Sequence, residues 1–440
     1  MGQNRLEKIM IGNIKKAVHQ ILGKSPRLNS MIISSYTYLR YLVCGARKPR
    51  HTTKAQLYAV KDLLPVEWKE AELFFGYYDK PAENRAGYIL VNASKTRKTC
   101  QLPSASEKIH VLVIDKNKPD FSLIFFVETF SYNWQQGCRA QWLTDDLFIM
   151  NIYDVQSNNY ISKVYSVEKK SEIKKFPMPV QDSYKDEFFL SINYRRIMAL
   201  RPDYGYRNIP VLNTVELKDI ENDGIWRVDY LTGENDLYLT LRDIVAFQSN
   251  QYPEDALHKV NHLMISPDGK KVIFIHRYYS SGKRNDRLLV CDLATKKLRV
   301  LANNQMVSHC IWKDSNSIVA YLRSPEDKDA FFIIDVTDGN YQHIEYPLFN
   351  KYGDGHPTFN GSLLVADSYQ DSALQRHLIC HDYKTGDTEE LGSFYQAMRF
   401  NGECRCDLHP RFSADGETLY FDAVFTGKRC LYYMKSKDLD

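Results

Sequence analysis

From about residue 70 onward, short apolar or alternating runs of four to eight residues follow one another, separated by turns rich in Gly, Asn, Asp and Pro. Tyr88–Asn92, His110–Ile114, Leu147–Ile152, Leu288–Cys291, Phe331–Ile334 and Thr418–Phe421 are examples. No long helical periodicity interrupts them. Many short strands at regular spacing predict an all-β sandwich, barrel or propeller. The N-terminal part reads differently. In residues 5–22, Leu6, Ile9, Met10, Ile14, Val18, Ile21 and Leu22 recur at helical spacing with lysines between them, and a second helical stretch runs from about Asn29 to Cys44. That segment is either a basic amphipathic helix for a membrane surface, a helical cap or a solvated arm.

Internal repetition decides the β architecture. Four segments share one design, a His, a short strand, a polar turn and a second strand: they start at His262, His309, His356 and His409, in steps of 47, 47 and 53 residues. A repeat of this length with four strands is the mark of a propeller blade. Earlier blades open near Leu73, Gly137 and Glu187, so starts near 73, 138, 187, 261, 308, 355 and 408 predict a seven-bladed β-propeller over 70–440. The wide third interval needs an insertion, placed around Arg201–Pro210. Residues 1–60 form a basic helical extension. Asp-Gly at 268–269 and 415–416 reads as hairpin turn chemistry.

Charge changes the picture. The net +4 divides into an arm, residues 1–50, with ten Lys/Arg against one acid, and a body with 48 basic and 53 acidic residues. An arm at +9 on a body at −5 points to an anionic surface, such as a membrane leaflet or an acidic glycan. Nine scattered cysteines without a framework suit a reducing compartment. No leader pattern and no run of 18 apolar residues is present, so the expected location is cytoplasmic, at most peripheral at the inner membrane. The 30 Tyr and 21 Phe suit strands and surfaces that hold sugars. No phosphate loop, nucleophile elbow or His-Glu-x-x-His is present, and no nucleic-acid partner is expected.

In a propeller the first strand of each blade lines the central channel, so His262, His309, His356 and His409 should converge there, with Arg139 and Glu187 at the same phase in blades two and three. Imidazoles in that place are candidate bases or metal ligands, or else bond backbone at strand starts. Cys404, Cys406 and His409 form a Cys-x-Cys-x-x-His cluster; with His309 and His356 nearby, a Zn²⁺ site or another divalent site becomes available. Aromatic and basic clusters at Phe74–Lys80, Arg201–Arg207 and His276–Tyr279 offer rings for sugar stacking and guanidinium groups for carboxylates.

The segments Asn133–Trp142, Ile192–Tyr206, Asp223–Asp229, Asn261–Gly269 with His276 and Arg277, Asp354-Gly-His-Pro357 and Asp407-Leu-His-Pro-Arg411 resemble the seven-bladed propeller polysaccharide lyases. The likeness is nearest to ulvan lyases and their bacterial relatives, and more distant to oligogalacturonate lyase. It covers about 70–440. The resemblance implies β-elimination on a uronate-containing acidic polysaccharide, and a structural zinc or another divalent ion. It requires a group that neutralises the uronate carboxylate, a base and an acid. Resemblance and repeat phase together assign His262 and His276 as base and partner. Arg207, Arg277 or Arg139 would neutralise the carboxylate, and Tyr78, Tyr204 or Tyr206 would donate the proton. Tyr77, Tyr206 and Tyr278 would join Arg139 and Arg277 in holding substrate. The rival reading is a non-lyase protein, glycosyl-transferring or glycan-binding, in bacterial surface polysaccharide biosynthesis, held at the inner membrane face by residues 1–50. Sugar, linkage and oligomeric state stay open.

Overall fold

A computed structural model describes residues 26–118, 123–248 and 252–439. These form two units: one is residues 26–49 with 370–375, the other residues 50–369 with 376–439. In the first unit, a helix runs Pro26–Cys44, where the second helical stretch is expected, and Arg40 Nη2 donates to Ser372 Oγ at 2.8 Å. The amphipathic stretch 5–22 lies outside the described residues. No described helix is long and apolar enough to cross a membrane.

The second unit is a seven-bladed β-propeller. Blades one to five are four-stranded antiparallel sheets built in sequence order, and their inner strands are Glu72–Phe74, Gln141–Trp142, Asp182–Tyr184, Leu257–Ile265 and Val307–Trp312. Blade six starts at Pro357–Phe359 and blade seven at Arg411–Phe412. Every blade therefore begins within a few residues of its predicted start. Residues 51–59 belong to the ring and not to the extension. His51–Thr53 adds a fifth strand to blade six, pairing with Gly392–Phe394, and Tyr58–Ala59 supplies the outer strand of blade seven, pairing with Tyr432 and Tyr433. Blade seven thus joins strands from both ends of the propeller sequence.

The apolar runs follow from this packing. Each blade is covered on both faces by its neighbours, so a middle strand needs apolar side chains on both sides and loses the in–out alternation. Ile109–Asp115 and Gln375–Asp382 are buried at every position. The Asp-Gly turns are built as expected: Asp268 accepts from Ser266 Oγ, and Gly269 takes a φ of 74°. The insertion lies within blade three, between Phe188–Ile192 and Gly224–Asp229, and carries the helices Tyr194–Leu200 and Thr214–Lys218. Asn193 caps the first, accepting from the backbone N–H of Arg195 and Arg196. Buried Arg196 ties the insertion down through Asp223 and the carbonyls of Leu217 and His258.

Candidate functional site

Four histidines from four consecutive blades meet at the axis. His262 and His309 ring centroids lie 6.2 Å apart, His309 and His356 3.9 Å, and His356 and His409 4.3 Å. None is more than 4 % exposed. Local backbone aims them. His262 sits in a bulge where the register slips between Asn261 and Met264, with φ 54°; His409 has φ 47°. A left-handed non-glycine residue costs about 1–3 kcal/mol, so this geometry is held by its surroundings. Arg139 shares it, at φ 57°, which fits its place at the same repeat phase. Glu187 does not belong to the set: it is exposed in the turn between the first two strands of blade three.

Tyr77 and Tyr78 of blade one fill the space between the imidazoles. Tyr77 Oη lies 2.5 Å from His262 Nδ1, and its ring packs edge-on against His409 at 5.0 Å. Tyr78 Oη donates to the Cys310 carbonyl at 2.8 Å. Tyr204, from the insertion, lies edge-on to both Tyr77 and His262, each at 5.7 Å. Next to it an ion ladder runs inward. Arg201 Nε meets Asp203 at 2.8 Å, Asp203 meets Arg405 Nη1 at 2.7 Å, and Arg405 Nε meets Asp407 at 2.7 Å. Arg376 Nη2 closes on the other Asp407 oxygen at 2.8 Å.

His356, Asp407 and His409 bring three ligand atoms within 4.8 Å of one another. Their second partners define the tautomers. His356 Nδ1 faces Asp367 at 2.9 Å, and His409 Nδ1 faces the Gly76 carbonyl at 2.8 Å. Both partners only accept, so each Nδ1 carries the proton and each Nε2 presents a lone pair. Both Nε2 atoms are buried without a hydrogen-bond partner among the described residues. Asp367 also accepts from the backbone N–H of His356 and of His409, and so orients both rings. Burial works against the Asp407 anion, but Arg405 and Arg376 outweigh it and hold its carboxyl well below the usual range. Burial, reinforced by neighbouring His356, keeps His409 well below the usual imidazole value. Four carboxylates (Asp203, Asp354, Asp367, Asp407) thus face three guanidinium groups (Arg201, Arg376, Arg405). Two converging lone pairs, a carboxylate and one surplus negative charge fit a divalent cation.

His309 forms a dyad of its own. Its Nδ1 lies 3.0 Å from Asp354, whose other oxygen accepts from Ser308 Oγ at 2.6 Å. Asp354 is 22 % exposed at its side chain and the neighbouring Tyr369 46 %, so the cluster approaches solvent on this side.

Other expected residues go elsewhere. Cys404 packs with Phe74, Ile109, Tyr132 and Trp134, and Cys406 with Phe400 and Val424; the sulfurs sit in apolar clusters, and Asp407 takes the place expected of a thiolate. His276 is stacked on His258 within blade four, with Nε2 3.0 Å from His258 Nδ1, and accepts from Arg287; it does not join His262. Arg139 is a buried bidentate partner of Asp79 at 2.8 and 3.0 Å and also donates to the Gln181 carbonyl, so it has no free fork for a ligand. Arg207 pairs with Glu403. Tyr206 is a core residue stacked on Tyr194 at 4.5 Å, and half-buried Tyr278 packs on Tyr252 and His258. Arg277 keeps one nitrogen, Nη1, without a hydrogen-bond partner. Sequence reasoning missed Asp407, Asp367, Asp354, Asp203 and Arg405. A signal existed for two of them: Asp-x-His-Pro occurs at both 354–357 and 407–410.

The buried imidazoles set a pH response. Burial lowers His258 to about 4 and pushes His262, His276 and His409 well below the ordinary value; it also lowers His309. The unfolded chain, with histidines near 6.5, binds protons that the folded chain refuses. Stability present above about pH 6.5 is therefore lost as pH falls toward 4. His258 alone accounts for roughly 3 kcal/mol over that window. Thermal unfolding followed across this range should show a steep fall in Tm; a flat profile would contradict the buried neutral state.

No protein-family model matches the chain, and no curated protein matches it. Solved structures do. An oligogalacturonate lyase in complex with manganese is 15 % identical, with a TM-score of 0.57, over 88 % of this chain and 96 % of that one. An oligogalacturonate lyase from Vibrio parahaemolyticus is 12 % identical, with a TM-score of 0.55, over the same shares. At these identities the likeness shows the fold: this chain is a seven-bladed β-propeller of the shape those lyases have.

Proposed function

We propose that the protein is a divalent-cation-assisted propeller that acts on a uronate-containing polysaccharide by β-elimination. The observation that carries this reading is the convergence of the His356 and His409 Nε2 lone pairs with the Asp407 carboxylate, and the manganese complex of a similar propeller supports it. His356, His409 and Asp407 would hold the cation. When bound, it supplies positive charge that neutralises a uronate carboxylate and makes the C5 proton acidic. The residues of the chain do the rest. His309 is the best-placed base: Asp354 holds its Nδ1, and the depressed imidazole is neutral at physiological pH. The Tyr77 hydroxyl, in contact with His262, is placed to return a proton to the leaving oxygen. Tyr204 and the ion ladder cover the cluster on the side of the insertion. Zinc is expected through two thiols that lie elsewhere; the His356, His409 and Asp407 set suits zinc and manganese alike, and the manganese of the similar propeller favours the latter.

A glycan-binding propeller without lyase activity is the second reading. It is favoured by the burial of all four imidazoles, which leaves the cluster near solvent only beside Asp354 and Tyr369. Incubation of the full chain with Mn²⁺ and a panel of uronate oligosaccharides separates the two. Elimination gives an unsaturated uronate with strong ultraviolet absorbance, and the His309→Ala variant should lose it by at least about 100-fold. Saturable binding with no unsaturated product would replace the lyase reading by the second.

A further inference from the structure

Next to His262, one face of blade four holds three donors that nothing satisfies fully. Lys259 and Asn261 lie two apart on the inner strand, and Arg277 stands opposite Lys259 on the next strand, so all three share that face. Lys259 is 0 % exposed, Arg277 2 % and Asn261 4 %. Lys259 Nζ donates to Asn261 Oδ1 at 3.0 Å, its one partner among the described residues. Arg277 directs Nε at Asp286 and Nη2 at the Val307 carbonyl, and leaves Nη1 open; Asn261 Nδ2 is open too. Buried donors without acceptors are costly, so the two on this face, beside a lysine with a single partner, call for an acceptor that the described residues do not provide.

We propose that Lys259, Asn261 and Arg277 form a buried pocket for a carboxylate of the acidic sugar ligand, beside His262. The pocket rests on the uronate reading for the identity of its ligand, and on the two open donors beside Lys259 for its existence.

The charge balance favours an anion. Asp286 is shared by Arg277 and by the exposed Arg284, so positive charge on this face exceeds negative. The groups that act on Lys259 are Arg277, Asp286 and His276 within the blade, and Arg201 and Asp203 of the insertion. Burial, with Arg277 and Arg201 adding to it, pushes the lysine well below its ordinary value. An entering carboxylate supplies a counter-charge and favours the ammonium form of the lysine, so binding draws in protons.

Calorimetric titration of the full chain with a saturated uronate disaccharide, in two buffers of different ionisation enthalpy at about pH 8, reads this directly. Net proton uptake on binding is expected, with no binding of the matching neutral disaccharide. Lys259→Met should abolish the uptake and weaken binding at least about tenfold. Uronate binding without proton uptake, equal binding of the neutral disaccharide, or unchanged affinity in Lys259→Met would overturn the pocket, as would no uronate binding at all. If Lys259→Met does not fold, the uptake by the unaltered protein and the affinity of Asn261→Leu decide. The lyase reading fails separately: uronate bound with proton uptake but never eliminated leaves the pocket standing, and elimination undiminished in Lys259→Met leaves only the lyase reading.

Discussion

His356→Ala is expected to abolish stoichiometric Mn²⁺ binding and to reduce elimination by more than about 100-fold, while the propeller stays folded. Three features of His356 make the effect large. Its Nε2 is one of the two buried lone pairs of the cluster, its ring touches both His309 and His409, and its Nδ1 is held by Asp367. Alanine removes one of three ligand atoms, which leaves His409 and Asp407 too few to retain a divalent ion against water. Asp367→Asn should act more weakly, by about 10–100-fold, because it leaves the ligand atoms in place and loosens their orientation. Calorimetry with Mn²⁺ and Zn²⁺ on each variant measures both effects. Unchanged metal affinity in His356→Ala would remove the proposed centre. Zinc retained through purification at about one ion per chain would restore the zinc assignment.

The largest loss of stability is expected at Asp422→Ala, about 3–5 kcal/mol. Asp422 and Arg411 are each 1 % exposed at their side chains and meet at 2.8 Å in blade seven. The same carboxylate accepts from the backbone N–H groups of Phe75 and Gly76 in blade one, at 3.1 and 3.2 Å. Removing it leaves a guanidinium and two amides buried without that partner. Gly76 also carries the carbonyl that fixes His409, so the variant should bind Mn²⁺ more weakly as well as unfold sooner. Denaturant unfolding gives the first quantity and calorimetry the second. The double variant Arg411→Met with Asp422→Leu should recover part of the stability, since apolar replacement of a buried pair is much less damaging than loss of one partner. A loss below about 1 kcal/mol in Asp422→Ala would show that the seam between blades seven and one is held by other contacts.

The blade count and blade starts were legible because repetition and strand pattern are both local properties of the chain. The convergence of His262, His309, His356 and His409 followed from repeat phase alone. What repetition does not encode is which partner each side chain finds across blades. Arg139 shares the phase and the backbone conformation of His262, yet Asp79 from blade one occupies its guanidinium. Cys404 and Cys406 sit close to His409 in sequence, but the short helical turn Gly402–Cys404 and the chain after it direct both sulfurs into apolar clusters. His276 is one strand away from the inner strand, which places it with His258. The fifth strand of blade six leaves no apolar signature in the sequence, because His51–Thr53 is three residues long and mostly exposed.

The ring is closed by Tyr58–Ala59 lying along Cys430–Lys435, the last of the described strands. During synthesis, an early segment of the propeller therefore waits for a partner more than 370 residues further along the chain. Blades one to five can form as they emerge, since each draws its strands from consecutive sequence. Loop-closure entropy makes the final pairing the slow and most separated one. Until then blade seven lacks its outer strand, and the edge of Cys430–Lys435 is open to pairing with another chain. The closing strand is the point where folding competes with aggregation.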